Sequence, residues 1–408
     1  MPFIVPPSYL DQAVQKIEVV RDSRPIHFVP APEVKPYFDF RERFERRLDR
    51  DFSETRSDNQ STLFSRARVG VKAKLSKEWN ADVMLQYMHD LNWTPNRNFS
   101  ADNFDTAIAF AEYFDGRQRI TIGRQNINFA DGRLLSSSDW GNRGRSYDAL
   151  RYRMGKWDAM TGRIGVASTR PPKLWLGAVS YQSDYGTSSF IYKNDVPTAA
   201  RDEIYTLDHF YQSNFKGISY KIGATVQWGR SQGKDLEAWA LQFSASYRLS
   251  PKTTIGLDLN SASGGGNSNK TRTLDILYAS NHSRYGLIDV QGLRNMNEVS
   301  LKVSHDFTKK FSGLISWHRF TLRDASDGWY GDSGSINRGP NGNYIDPTGT
   351  SGRHTGDELD FDLRYTLDSR TTFNGGFAIF SPGGFVKRLN GGSAQRQLWG
   401  YLSVTYKF

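Results

Sequence analysis

The sequence predicts an all-β protein: a transmembrane antiparallel β-barrel of about eighteen strands, with short periplasmic turns and long extracellular loops. Three observations carry the prediction. The chain ends in QLWGYLSVTYKF, where Gly400, Leu402, Val404, Tyr406 and Phe408 share one face of an extended strand and Trp399, Tyr401, Ser403, Thr405 and Lys407 the other. An apolar stripe running to the last residue suits a strand that meets lipid. Mean hydropathy is −0.61, yet the chain holds 25 Phe, 20 Tyr and 10 Trp. A barrel reconciles the two by wetting its lumen and placing aromatics at the membrane interfaces. Proline maps the rest: Pro2, Pro6, Pro7, Pro25, Pro30, Pro32 and Pro36 crowd the first 36 residues, and the remainder of the 15 are scattered between alternating segments.

Proline removes a ladder donor, so residues 1–36 are expected to form a Pro-rich extension, periplasmic or lumen-entering, and 37–408 the barrel. The N-terminus shows no basic region followed by an apolar one, so an exported protein would be represented here by its mature chain. The first strand, YFDFRERFERRL, sets Tyr37, Asp39, Arg41, Arg43, Glu45 and Arg47 against Phe38, Phe40, Phe44 and Leu48, with Glu42 and Arg46 breaking the second face. The next, LFSRARVGVKAKL, opposes Leu63, Ala67, Val69, Val71, Ala73 and Leu75 to Arg66, Arg68, Lys72 and Lys74. A cation facing lipid near the midplane costs roughly 2–4 kcal/mol, so these basic rows are expected to face the lumen. LRYRM adds Arg151 and Arg153, and TGRIG adds Arg163.

Alternation is equally clean in KIGATVQWG, WALQFSASYR and ELDFDLRYTL. The last of these places Glu358, Asp360, Asp362 and Arg364 opposite Leu359, Phe361, Leu363 and Tyr365. Short turns at 76–78, 155–156, 250–252, 308–310 and 368–370 alternate with long Gly/Asn/Asp-rich loops, the longest near 324–355. Counting TRTLDILYA as a strand gives nineteen. The turns at 250–252 and 308–310 require 263–296 to be one outer excursion, which leaves the even number eighteen.

The net charge is +10 and there is no Cys. On a soluble surface that charge would suggest nucleic acid; lining a pore it favours anions, and no nucleic-acid partner is expected. The bland reading of each inward charge is solvation of a wide lumen, cross-paired with Asp39, Glu45, Asp82, Asp258, Glu358, Asp360 and Asp362. The sharper reading is an electropositive constriction that hands a polyanion between basic groups. GGGNSNKT (264–271) nearly spells a phosphate-binding loop, but Asn269 replaces the required Gly. No G-x-S-x-G or H-E-x-x-H occurs, and seven scattered His lack metal spacing. Neither enzymatic activity nor a cofactor is expected.

GRQNINFADGRLLSSSDWGNRGRSYDALRYR (123–153) resembles the signature region of the alginate export porins of Gram-negative outer membranes. RERFERR (41–47), HSRYGLIDVQGLRNMNE (282–298) and GDELDFDLRYTL (356–367) carry the same likeness, which therefore spans nearly the whole barrel. The resemblance implies a monomeric, eighteen-strand, arginine-lined, anion-selective pore narrowed by inward loops, in contact with outer-membrane lipid and lipopolysaccharide. Carried over by motif, Arg41, Arg43, Arg124, Arg133, Arg145 and Arg151 become lumen or constriction arginines, with Asp131, Asp148 and Glu358 as acidic counterparts. Every short turn is too small for a periplasmic plug loop, which leaves residues 1–36 for that role if the pore is plugged at all. The implied substrate is an anionic saccharide, with periplasmic export components as further partners. The alternatives are a general anion or small-solute porin and, third, a sheath around a periplasmic partner.

Overall fold

In the computed structural model, residues 32–53, 58–94, 98–166, 174–195 and 202–408 are described. Residues 1–31 of the expected extension, with Pro95, Pro171, Pro172 and Pro197, lie outside them. The barrel strands are β1 (Glu33–Leu48), β2 (Gln60–Lys74), β3 (Trp79–Trp93), β4 (Asn98–Phe114), β5 (Gln118–Gln125), β6 (Ser146–Met154), β7 (Trp157–Val166), β8 (Leu174–Ser183) and β9 (Gly186–Asp195). They continue as β10 (Glu203–Phe215), β11 (Ile218–Ser231), β12 (Lys234–Ser250), β13 (Thr253–Ala262), β14 (Met296–Asp306), β15 (Phe311–Leu322), β16 (His354–Thr366), β17 (Thr371–Pro382) and β18 (Gln397–Lys407). Each pairs antiparallel with its sequence neighbour. β1 closes on β18 from Asp39↔Lys407 to Leu48↔Leu398, so the cylinder has no free edge.

The parity argument holds. Of 263–295 only Lys270–Thr271 pairs with the wall as a strand, in a two-residue parallel strip on β12. Outward residues are exposed, as lipid-facing residues of an isolated chain should be: Val69 is 57 %, Leu301 53 % and Leu402 69 % exposed. Their alternate neighbours Arg68, Ser300 and Tyr401 are buried inward. The terminal strand thus projects as its pattern requires.

Two details differ from expectation. β1 begins at Glu33, so Pro36 lies inside a strand, opposite Val71. This segment is tolerated because the C-terminal strand meets β1 only from Phe38, which exchanges backbone hydrogen bonds with the terminal Phe408; Pro36 has a strand neighbour on one side only, and its missing N–H faces no acceptor strand. The outer connection between β11 and β12 is the two-residue turn Gln232–Gly233 rather than a long loop, with Gln232 and Gly233 both at positive φ.

The long connections fold into the barrel. Residues 126–145, 263–295, 323–353 and 383–396 supply much of the apolar interior: Phe129, Leu134, Leu135, Leu274, Ile288, Trp329, Tyr344 and Phe385 are all at most 3 % exposed. They meet inward Ile164, Leu176, Ile191 and Ile204 of β7–β10 on one side. On the other, Phe52, Trp329, Tyr344 and Phe380 form an aromatic cluster with ring centroids 5.5–6.0 Å apart. A short helix in the β17–β18 connection, Gly384–Leu389, buries Phe385 and Val386.

Candidate functional site

Arg41, Arg43, Arg66 and Arg68 project inward from β1 and β2 as their alternation dictates, and all four are buried. What buries them is the loop 126–145. Arg41 forks across three backbone carbonyls, donating to Asp139 O at 2.8 Å, Trp140 O at 3.2 Å and Gly141 O at 3.3 Å. Arg43 donates to Trp140 O at 2.5 Å and holds Glu45 at 2.7 Å. Arg66 and Arg68 share the Asp139 carboxylate, at 2.9 and 2.8 Å. Burial alone would raise that carboxyl, but Arg66, Arg68 and Arg41 outweigh it and hold Asp139 below its ordinary range. Trp140 lies between the Arg43 guanidinium, 3.9 Å from the ring centroid, and the His282 ring, stacked at 3.7 Å. The loop carrying His282 is anchored in turn: Arg47 donates to Ile288 O at 2.8 Å, and Glu358 accepts Ile288 N–H at 2.8 Å.

Asp131 and Arg133 sit in the same inward loop. Arg133 reaches Asp208 at 3.0 Å and also donates to Gln242, while Asp131 pairs with Lys221 of β11. Arg145 donates to three carbonyls, those of Ser136 at 3.1 Å, Tyr278 at 2.5 Å and Ala279 at 3.2 Å. Arg151 and Arg153 face inward from β6 and are paired, with Asp158 and Glu112 respectively. Lys72 and Lys74 are exposed at the periplasmic end of the basic face and form no ion pair among the described residues; Arg364 lies at the same level on β16, also exposed. Asp360 is buried and bonded by Ser316 and by His318, whose other ring nitrogen is 2.6 Å from Glu298.

Arg124, Asp148 and Arg163 do not face the lumen. On β5 Arg124 shares the side of Ile122, 59 % exposed, and on β6 Asp148 shares the side of Leu150, 45 % exposed. On β7 the inward side is Met160, Ile164 and Val166, all buried, which turns Trp157 and Arg163 outward. The two residues carried over by motif and the one read from TGRIG therefore form one outward cluster, with Arg124 bidentate to Asp148 at 2.7 and 3.1 Å. The inward apolar side of β7 packs against the folded-in loops, not lipid. Glu42 and Arg46 also face outward, and Glu42 accepts Ser65 Oγ–H at 2.7 Å.

Several groups that shape the interior went unpredicted. Asp139 and Trp140 lie within the 123–153 block but carry no local signal of their role. Lys193, paired with Asp202 at 3.1 Å and Asp275 at 2.9 Å, is betrayed only by facing the same side as Ile191. Two hollows flank the loop-filled waist. An outer one of about 1590 Å³ is lined by Arg47, Arg50, Asp58, Asp289 and Asp332. A periplasmic one of about 620 Å³ is lined by Gln212, Tyr220, Lys221, Asp258 and Lys302.

The alginate export family matches this chain over residues 36–171 and 163–400. No curated protein matches it in sequence. Among solved structures it is similar to three Pseudomonas aeruginosa proteins. OccK5 (OpdH) is 10 % identical, with a TM-score of 0.60, covering 92 % of this chain and 98 % of its own. OccK2 (OpdF) in complex with glucuronate is 10 % identical, TM-score 0.60, covering 92 % and 96 %. OpdK with vanillate is 10 % identical, TM-score 0.62, covering 92 % and 98 %.

Proposed function

The chain belongs to the alginate export family and is an outer-membrane β-barrel porin for solutes, not an enzyme; from that premise we propose that the solutes it favours are anionic saccharides, drawn through a lumen kept positive by arginines. One observation carries the reading. Arg41, Arg47 and Arg145 make their hydrogen bonds to backbone carbonyls, which position a guanidinium without cancelling its charge. Arg66 and Arg68 divide one Asp139 carboxylate, with Asp39, 3.3 Å from Arg66, as the one further ion-pair partner among the described residues. Below them Lys72 and Lys74 extend the same face to the periplasmic mouth. The β1–β2 side of the waist, with Arg41, Arg43, Arg66 and Arg68 set against Asp39, Glu45 and Asp139, therefore has one positive charge in excess, in a site of reduced dielectric where it acts further than it would in bulk water. Two structural neighbours hold glucuronate and vanillate, both carboxylates, on the same fold.

The general anion porin remains the second reading for a specific reason. A pore that grips sugars benefits from bare aromatic faces, and Trp140 in the inward loop has both faces covered. Single-channel recording in planar bilayers separates the two. The saccharide reading expects anion selectivity and current block by uronate oligomers but not by neutral oligomers of equal length. Anion selectivity without block leaves the general porin; cation selectivity overturns both.

A further inference from the structure

The outward cluster on β5–β7 has no role in the lumen, and its surroundings point to a ligand from the membrane side. We propose that Arg163, steadied by the Arg124–Asp148 pair, binds the phosphate of an outer-leaflet lipid headgroup.

The first support is height. Arg163 is six residues above Trp157 at the periplasmic end of β7, roughly 15 Å at about 3.3 Å per residue and a tilt near 40°. On β11 the outward run from Ile218 to Trp228 covers ten residues, roughly the 25 Å of a full apolar band. At β5 and β6 the wall beside the cluster is low: β5 ends at Gln125, one residue beyond Arg124, and β6 begins at Ser146, because the chain between them turns into the lumen. A wall shorter than the hydrocarbon band is met by local thinning and by snorkelling cations, which brings headgroups down to Arg163.

The second support is an unspent charge. Arg163 is 66 % exposed, and its one ion-pair partner among the described residues is Asp148, with Nε 3.8 Å from the carboxylate, beyond hydrogen-bond range. Asp148 is already committed to Arg124, which also donates to Thr106 O at 2.9 Å. The cluster thus has an excess positive charge, with its two terminal guanidinium nitrogens available. The third is shape. Gly165, on the same face, has no room for a side chain: a Cβ there would come within 2.5 Å of Asp148 Oδ1 and 2.8 Å of Arg124 Nε, so the cluster lies flat against the strand. Ile122, 59 % exposed, and Leu150, 45 % exposed, lie below it and offer apolar surface for acyl chains. Trp175 on β8, its indole donating to Thr161 at 2.9 Å, stands beside Arg163 as an interfacial aromatic would.

The test is native mass spectrometry of the full chain released from nanodiscs that contain lipid A with its phosphates or the same lipid dephosphorylated. The wild type should retain the phosphorylated lipid, and Arg163→Gln should lower that retention about tenfold, the loss expected when one charge-assisted contact is removed. Arg163→Lys, which keeps the charge, should keep most of it. Heat-modifiability on gels confirms that both variants are folded barrels. Equal retention of the two lipids by the wild type overturns the proposal. So does unchanged retention in Arg163→Gln, or a self-associated species that retains no lipid and is lost in Arg163→Gln, which would make this face a contact between copies.

Discussion

Replacing Asp139 with Asn removes the one carboxylate that Arg66 and Arg68 share and leaves the shape of the inward loop intact. Breaking a buried ion pair by deleting one partner costs about 3–5 kcal/mol, while an exposed pair is worth about 0–1 kcal/mol. Asp139 lies between these limits: Arg66 is 1 % exposed in its side chain, Asp139 57 %. The expected loss of docking energy is therefore about 1–3 kcal/mol, near 2 kcal/mol, which multiplies the undocked population of loop 126–145 about thirtyfold. The loop does not leave altogether, because Arg41 and Arg43 still hold the carbonyls of residues 139–141, at about 1 kcal/mol for each neutral-acceptor bond. Planar-bilayer recording should show larger conductance fluctuations, and anion preference should rise, since a negative charge has left the waist while both arginines stay. A quiet trace with unchanged selectivity would refute the role of this carboxylate as the loop's latch. A fall in anion preference would refute the expectation that removing this carboxylate leaves the waist more positive.

Lys72→Gln combined with Lys74→Gln should lower anion preference without added conductance noise, since neither lysine holds a loop; Arg66→Gln with Arg68→Gln should do both, and bilayer recording distinguishes them. Glu358→Ala orphans the Ile288 amide and should lower stability by about 1–3 kcal/mol, read as a lower temperature of barrel unfolding in detergent, while Glu358→Gln, which keeps an acceptor, should stay within about 1 kcal/mol of the wild type. Asp332, in the loop 323–353, has its carboxyl pushed up to about 7 by burial and by the charge of Asp289. Its folded value exceeds its free value of 3.8, so the fold binds the extra proton. Loop packing should be strongest at acid pH, weaken by about 1.4 kcal/mol per unit as pH rises from about 4 to about 7, and level off above that. Hydrogen exchange across 323–353 reads this, and Asp332→Asn should flatten the profile.

The wall was legible in the sequence because a barrel enforces a period of two and an even count. The final strand, the basic face of β2, the short turns and the single excursion 263–295 all followed from those two constraints. The direction of a face was less legible where the lumen is not wet. On β7 the apolar side, Met160, Ile164 and Val166, looks like a lipid face but packs on folded-in loops, so Arg163 is turned to the membrane. Arg124 could have been placed by alternation alone, since it shares a side with Ile122; the resemblance to a lumen motif pulled it inward. The loops themselves were beyond local reading. Nothing in SSSDWGNRG announces that Asp139 will meet residues about seventy positions upstream, since that contact exists only after the barrel closes.

Arg41 separates the two jobs that a lumen arginine performs here. Its guanidinium spans the carbonyls of Asp139, Trp140 and Gly141 from a planar fork, a geometry that an ammonium cannot reproduce from one nitrogen. Its charge, meanwhile, is opposed by no carboxylate bonded to it among the described residues, and it lies beside Arg66, directly across the strand pair. Arg41→Lys keeps the charge and loses the fork. If geometry holds the loop and charge sets selectivity, the variant should retain anion preference and show a noisier conductance, the loss of about one to two bonds to neutral acceptors, or about 1–2 kcal/mol. If Arg41→Lys instead loses anion preference at unchanged noise, the field at the waist does not come from this residue's charge, and the neutral carbonyl partners are not what leaves the lumen positive.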